Sequence, residues 1–75
     1  MSLYDAKLNT ECMVKEINIA DEKIKIRLME LGLILGCRLK VENKSALKQT
    51  MLVAFNSSCF TLKEEIAKGI IINYT

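Results

Sequence analysis

The sequence predicts a mostly β fold, in which about five short strands accompany one inserted α-helix. Apolar and polar residues alternate over several short runs, as they do in strands with one buried face. Only residues 21–31 have the spacing of an amphipathic helix. With 75 residues, the chain forms a single small domain over residues 1–75. Small antiparallel sheets remove their exposed edges by curling, so a partly open barrel is expected.

The first part of the chain is predicted to form an arm followed by a strand. Residues Leu3–Leu8 are short and mixed in character, and we expect them to pack as an N-terminal arm. Residues 12–19 alternate in two phases. The change of phase near Lys15 and Glu16 indicates a β-bulge.

The helix is predicted to begin at Asp21, because aspartate is a good N-cap residue. A helical period places three large apolar residues on one face: Ile24, Leu28 and Leu31. Gly32 follows directly, and a glycine there favours the left-handed conformation that ends a helix.

The second half of the chain supplies the remaining strands. They are predicted at residues 37–42, 51–55, 59–62 and 70–72. In the first of them Cys37, Leu39 and Val41 face one way. The connections are predicted to be turns at Leu33–Gly36 and Asn56–Ser58, a polar loop at Asn43–Thr50 and about one helical turn at Lys63–Lys68. Together these elements predict a small SH3-like, partly open barrel of about five strands with one inserted α-helix.

Composition argues against catalysis and against nucleic-acid binding. The chain has no histidine, so neither a Ser-His nor a Cys-His arrangement exists. It lacks a glycine-rich phosphate loop, and no cofactor is expected. A net charge of +2 with four dispersed aromatic residues gives neither a basic face nor a stacking platform for bases. We therefore expect a protein that works by binding a protein partner.

The three cysteines are Cys12, Cys37 and Cys59, and they are too far apart in sequence to suggest a metal cluster. The alternative, that their thiolates bind a soft metal, is weaker because no histidine and no close pair accompanies them. We expect no metal site, and reduced thiols in a cytoplasmic protein. The N-terminus lacks the pattern of a signal peptide. No apolar stretch has the length of a transmembrane helix, so no direct membrane insertion is expected.

The segment Arg27–Gly36, with the sequence RLMELGLILG, resembles the signature of the FeoA family. That signature consists of Arg-Leu, then Leu-Gly-Leu, then a glycine that opens a strand. Leu62–Ala67 is similar to a late stretch of the same family, and Ile70 and Ile72 fit the apolar pair of its final strand. The resemblance covers almost the whole chain.

This resemblance implies an SH3-like barrel and an accessory role in ferrous iron transport. It implies binding to the cytoplasmic domain of a large membrane GTPase that moves ferrous iron, and it brings an association with transition metal ions. The same small domain occurs in some metal-dependent repressors. An alternative is therefore a metal- or peptide-binding SH3-like module of a transcriptional regulator. The open edge of such a barrel also makes a homodimer possible.

The candidate partner-binding residues lie where the helix meets the next strand: Lys25, Ile26, Arg27, Ile34 and Leu35. Ile26 falls outside the apolar helix face, and Ile34 and Leu35 place two large apolar groups in a turn. Lys25 and Arg27 add charge at the rim of this patch. The alternative is that Ile34 and Leu35 cover the open end of the barrel. A further alternative for Arg27 is a simple helix-surface ion pair with Glu30.

Overall fold

The computed structural model describes residues 1–75. A 3₁₀ turn at Leu3–Asp5 precedes five strands and two helices. The helices are α1 (Glu22–Glu30) and α2 (Glu64–Ala67). The strands are β1 (Cys12–Ile17), β2 (Arg38–Ser45), β3 (Thr50–Phe55), β4 (Ser58–Lys63) and β5 (Ile70–Tyr74). The mostly β class, the five strands and the one long helix are confirmed.

The five strands form one antiparallel sheet in the order β4-β3-β2-β1-β5. The sheet does not close, because β4 and β5 are its two edges and do not pair with each other. Its weakest seam lies between β1 and β2, where only Cys12 and Met13 have partners. An unclosed sheet of five antiparallel strands agrees with the partly open barrel that the sequence predicts.

Two register shifts curve the sheet. The shift between Val14 and Glu16, where β1 pairs with β5, confirms the predicted bulge. The second shift lies between Val41 and Asn43, and it resets the alternation so that β2 continues to Ser45. The prediction of a loop over Asn43–Thr50 was therefore wrong at both ends, since only residues 46–49 connect β2 to β3.

Helix α1 begins as predicted at Asp21. The Asp21 carboxylate accepts hydrogen bonds from the backbone N–H groups of Lys23 (2.9 Å) and Ile24 (3.4 Å). On the expected apolar face Leu28 is buried and Ile24 is half-buried. The prediction for Leu31 was wrong, because 52% of this residue is exposed.

The end of α1 explains the exposure of Leu31. Gly32 has φ +95° and donates its N–H to the carbonyl of Met29 (2.9 Å). The N–H of Leu33 reaches back to the carbonyl of Leu28 (2.9 Å). These two bonds form a Schellman motif, which reverses the chain. Leu33, fully buried, takes the core position that the helical period assigned to Leu31.

The core is entirely apolar and contains no buried polar or charged side chain. The N-terminal arm contributes to it, because Leu3 is fully buried, although Leu8 at the end of the arm is 47% exposed. Fourteen residues form the core cluster: Leu3, Ala6, Cys12, Val14, Leu28, Leu33, Leu39, Val41, Met51, Val53, Leu62, Ala67, Ile70 and Ile72.

We expect Gly32→Val to lower the free energy of unfolding by at least about 1 kcal/mol, because a side chain at this positive φ is strained. A Cβ at Gly32 would also lie 3.3 Å from Cζ of Phe55. Gly36→Val is the matched control, since Gly36 has φ +87° but no atom within 4 Å of its Cβ position. Urea unfolding should rank the variants wild type, Gly36→Val, Gly32→Val in decreasing stability. A Gly32→Val protein that melts within a degree of wild type would contradict this assignment.

Candidate functional site

The candidate site is the corner between α1 and β2, defined here as residues Lys25–Leu35 with the groove beside them. The corner is fixed to β1 by backbone hydrogen bonds. Gly36 donates its N–H to the carbonyl of Val14 (2.8 Å), and Val14 donates to the carbonyl of Cys37 (3.0 Å). The N–H of Cys37 closes a turn on the carbonyl of Ile34 (3.1 Å). The positive φ of Gly36, the third residue of this turn, is the conformation of a type II turn.

This rigid turn holds two large apolar side chains in solvent. Ile34 is 50% exposed and Leu35 is 63% exposed. Leu33, one residue earlier, is fully buried. The core anchor of this segment is therefore Leu33. The alternative in which Ile34 and Leu35 cover the barrel end does not fit exposures of this size.

A shallow groove of ≈ 390 Å³ elsewhere on the surface contains no apolar residue, but the groove at the corner is largely apolar. Its volume is ≈ 350 Å³, and α1, β1 and the turn all contribute to its walls. The lining residues are Glu16, Ile17, Asn18, Lys25, Met29, Ile34 and Leu35. Ile34 and Leu35 also border a second groove, of ≈ 480 Å³, which runs toward Phe55. The two side chains thus form a ridge between two depressions.

The structure brings three of the five predicted site residues together, because Lys25, Ile34 and Leu35 line one groove. Ile26 lies outside it and is 51% exposed. Arg27 is exposed and is not part of the groove, and it makes no ion pair with Glu30. A role for these residues in binding stays a prediction.

Sequence reasoning missed Met29. This residue is 54% exposed and lines the groove. Met29 follows Ile26 by three positions and Lys25 by four, so it belongs to the same helix stripe. That spacing was visible in the sequence. With Met29 included, the exposed apolar side chains of the corner are on both α1 and the turn that follows it.

The thiols are protected from ionisation. Burial raises the pKa of Cys12 to about 11, and its Sγ donates to the carbonyl of Leu39 (3.4 Å). Burial also raises the pKa of Cys37. Cys59 is exposed, and its Sγ donates to Oε1 of Glu42 (3.2 Å). That hydrogen bond and the charge of Glu42 raise the pKa of Cys59, because they favour the protonated thiol.

The fold contains no group of three or more His, Cys, Asp or Glu side chains that is arranged to hold a metal ion. None of its helices has both the length and the apolar character needed to cross a membrane. The corner groups several exposed apolar residues, among them Ile26, Ile34 and Leu35. An apolar centre with Lys25 at its edge agrees with the usual anatomy of a protein interface.

Comparison with known proteins decides the family. The family model described as "FeoA domain" matches residues 1–74. The chain belongs to the FeoA family. This confirms the resemblance read from the segment Arg27–Gly36. No curated protein gave a significant match.

Solved structures agree with this assignment. FeoA from Chlorobium tepidum is 30% identical with a TM-score of 0.89, over 99% of this chain and 70% of that one. FeoA from Stenotrophomonas maltophilia in complex with zinc is 26% identical with a TM-score of 0.82, over 97% of this chain and 89% of that one. That protein is described as a prokaryotic SH3 domain protein, and the SH3-like prediction is thereby confirmed.

A manganese-dependent transcriptional repressor shares the fold. It is 21% identical with a TM-score of 0.90, and the match covers 100% of this chain but only 36% of the repressor. At this identity the likeness concerns the fold alone.

The Glu42 contact predicts the reactivity of Cys59. We expect Glu42→Gln to lower the pKa of Cys59 and to raise its rate of alkylation by iodoacetamide near pH 8, because more thiolate is present. The difference between variant and wild type should vanish well above the pKa, where both thiols are ionised. Peptide mass spectrometry distinguishes Cys59 from the less accessible Cys12 and Cys37. Equal rates at pH 8 would show that the 3.2 Å contact has no effect on ionisation.

We also expect the isolated protein to form no tight, specific iron complex. The reason is chemical: histidine is absent and the three thiols are dispersed and protonated at neutral pH. Anaerobic titration with Fe(II), followed by calorimetry, is the appropriate measurement. A stoichiometric complex with sub-micromolar affinity would refute this expectation.

Proposed function

We propose that this FeoA-family protein is a non-enzymatic accessory protein of ferrous iron uptake. In this proposal it binds the cytoplasmic part of a membrane GTPase iron transporter and modulates it. The family assignment supports the iron-transport role, and a FeoA relative is itself described as a candidate ferrous iron transport activating factor. The partner and the cytoplasmic location rest on the family resemblance.

One observation carries the binding proposal: the corner holds apolar side chains in solvent on a backbone that is fixed by hydrogen bonds. Ile26, Met29, Ile34 and Leu35 are each at least 50% exposed. Apolar residues grouped in this way lower the free energy when a partner removes them from water. Because the turn is already ordered, binding costs little conformational entropy.

Charges near the corner indicate the chemistry of the partner surface. Lys25 lines the groove and is half-buried, and Lys23 and Arg27 lie on the same helix. Glu16 lies across the groove. We infer a partner surface with an apolar ridge or helix whose acidic groups face α1, because complementary charge orients an interface.

Catalysis is not part of this proposal. The chain lacks histidine, and its exposed thiol is kept protonated by Glu42, so no activated nucleophile is available. A relative's description as an activating factor agrees with a regulatory rather than a catalytic role.

A second candidate function is a metal- or peptide-binding module of a metal-dependent transcriptional regulator. The specific observation in its favour is the shared fold with a manganese-dependent repressor, at a TM-score of 0.90. Because that likeness extends to 36% of the repressor, a regulator would need further domains, including one that binds DNA. Genetic linkage to a large GTPase transporter would favour the first function over the second.

The decisive experiment measures binding of variants to the purified cytoplasmic domain of the transporter. We expect Leu35→Ser and Ile26→Lys each to weaken binding by roughly 1–3 kcal/mol, while the melting temperature barely changes. Leu47→Ser is the matched control, because Leu47 is 98% exposed on a different loop, between β2 and β3. That variant should bind like wild type.

Two results would contradict the proposal. If Leu35→Ser and Leu47→Ser bind as wild type does, the corner is not the interface. If Leu35→Ser instead lowers stability by the roughly 2–5 kcal/mol of a core truncation, the side chain belongs to the core.

A further inference from the structure

Strand β4 is an edge strand whose outward backbone groups have no partner in the chain. It pairs with β3 through six consecutive residues without a register shift. A two-residue turn at Asn56 and Ser57, both with positive φ, joins β3 to β4. In a hairpin with such a turn the flanking residues, here Phe55 and Ser58, form a hydrogen-bonded pair.

The alternation of an antiparallel ladder then fixes which groups face outward. Phe60 and Leu62, like Ser58, direct their N–H and C=O groups toward β3. The bond from the N–H of Glu64 to the carbonyl of Gln49 (2.9 Å) continues this alternation beyond the strand. The peptide groups of Cys59 and Thr61 therefore point away from the sheet, and no hydrogen bond within the chain satisfies them.

The other edge of the sheet is covered. Ile72 of β5 donates its N–H to the carbonyl of Met1 (2.8 Å), and Ser2 bridges to Ile71. Proteins commonly protect edge strands with prolines, bulges, charges or a covering segment. β4 contains no proline and no bulge, and its one charged residue, Lys63, lies at its end. The chain protects β5 and leaves β4 open.

We propose that β4 pairs antiparallel with β4 of a second copy of this chain, about a two-fold axis at Phe60. The two sheets then join into one. Cys59 of each copy lies opposite Thr61 of the other, and each such pair exchanges two hydrogen bonds. All the outward groups of both residues are satisfied in both copies. The proposal is independent of the partner proposed for the corner.

The side chains fit this register. On the inner face Phe60 lies opposite Phe60 of the second copy, in a non-hydrogen-bonded pair, where side chains approach closely. Phe60 is half-buried and packs edge-on against Phe55 at 6.2 Å, so pairing covers the part of its ring that is still in water. On the outer face Cys59 and Thr61 are uncharged and small.

Charge also favours a second copy at this register. Lys63 of one copy lies opposite Ser57 of the other, so like charges do not face each other. Moving the axis to Thr61 would place Lys63 opposite Cys59. Lys63 is the N-cap residue of α2, and its carbonyl accepts a bond of that helix, so it is less suited to pairing. Two identical strands can thus complement each other in this register, as a two-fold interface requires.

A single substitution tests both the dimer and its register. Thr61→Cys places a new thiol opposite the native Cys59 of the second copy, at a Cα separation of about 5.5 Å, which suits a disulfide. Lys63→Cys is the matched control, because its thiol faces Ser57. Mild oxidation should convert most of the Thr61→Cys protein into a covalent dimer, and should leave Lys63→Cys largely monomeric. Peptide mass spectrometry of the dimer should show a disulfide that joins Cys59 to the thiol introduced at position 61.

Backbone variants test the dimer without oxidation. Sedimentation of wild type over a range of concentrations should show a monomer–dimer equilibrium. Thr61→Pro removes an outward N–H and should weaken the dimer at least about tenfold, because two hydrogen bonds are lost. Thr61→Val keeps the backbone groups and should dimerise like wild type. The corner variant Leu35→Ser should also dimerise normally.

The outcomes are distinct. If Cys59 forms a disulfide with the thiol introduced at position 63 in preference to the one introduced at position 61, the register is wrong. Wild type that stays monomeric at millimolar concentration, with no cross-link in either variant, would overturn the pairing. If a Thr61→Pro protein does not fold, the cross-linking comparison decides the question alone.

Discussion

The reversal of the chain at Gly32 and Leu33 is the constraint on which the rest of the structure depends. It occupies two residues and two hydrogen bonds, yet it decides which side chains enter the core and which stay in water. Leu33 enters and Leu31 does not. The motif needs a residue with positive φ, which Gly32 supplies. This one glycine therefore ends the helix at this point.

The segment that follows this reversal is hydrogen-bonded to strand β1. Its direct pairing with β2 involves only Cys12 and Met13, so β2 would be poorly held if the ladder were its sole attachment. The bonds between Val14 and the segment of Gly36 and Cys37 extend that attachment into the turn. The same contacts immobilise Ile34 and Leu35. Rigidity at the candidate interface and continuity of the sheet thus have one physical cause.

Local chemistry made much of the fold predictable from the sequence. The cap at Asp21, the stop at Gly32 and the phase change near Lys15 each depend on neighbouring residues, and each was found where expected. The alternation that buries Leu39 and Val41 was equally local. The full length of β2 was not predictable, because the bulge after Val41 hides the continuing strand from a simple period-2 reading.

The candidate site was only partly predictable. The place of Ile34 and Leu35 in a turn left open whether they cover the barrel end or face solvent, and the structure shows them exposed. The groove requires β1 and α1 to approach each other across the fold. Met29 lines the groove only because α1 packs beside β1. The contact between Cys59 and Glu42 likewise joins residues 17 positions apart on separate strands. Pairings of this kind depend on tertiary packing, which a pattern of neighbouring residues does not encode.

The wholly apolar core has a consequence for how far the sequence of such a domain can vary. A core held by buried hydrogen bonds or ion pairs requires particular residues at particular places, whereas an aliphatic core requires mainly a conserved total volume. Here the buried side chains are all apolar, and the Cys12 thiol makes only a weak hydrogen bond to the carbonyl of Leu39. Most core positions can therefore exchange Leu, Ile, Val and Met, and the backbone arrangement is kept while the sequence changes. A fold specified by volume and turn geometry leaves its surface, and hence its choice of partners, free to diverge.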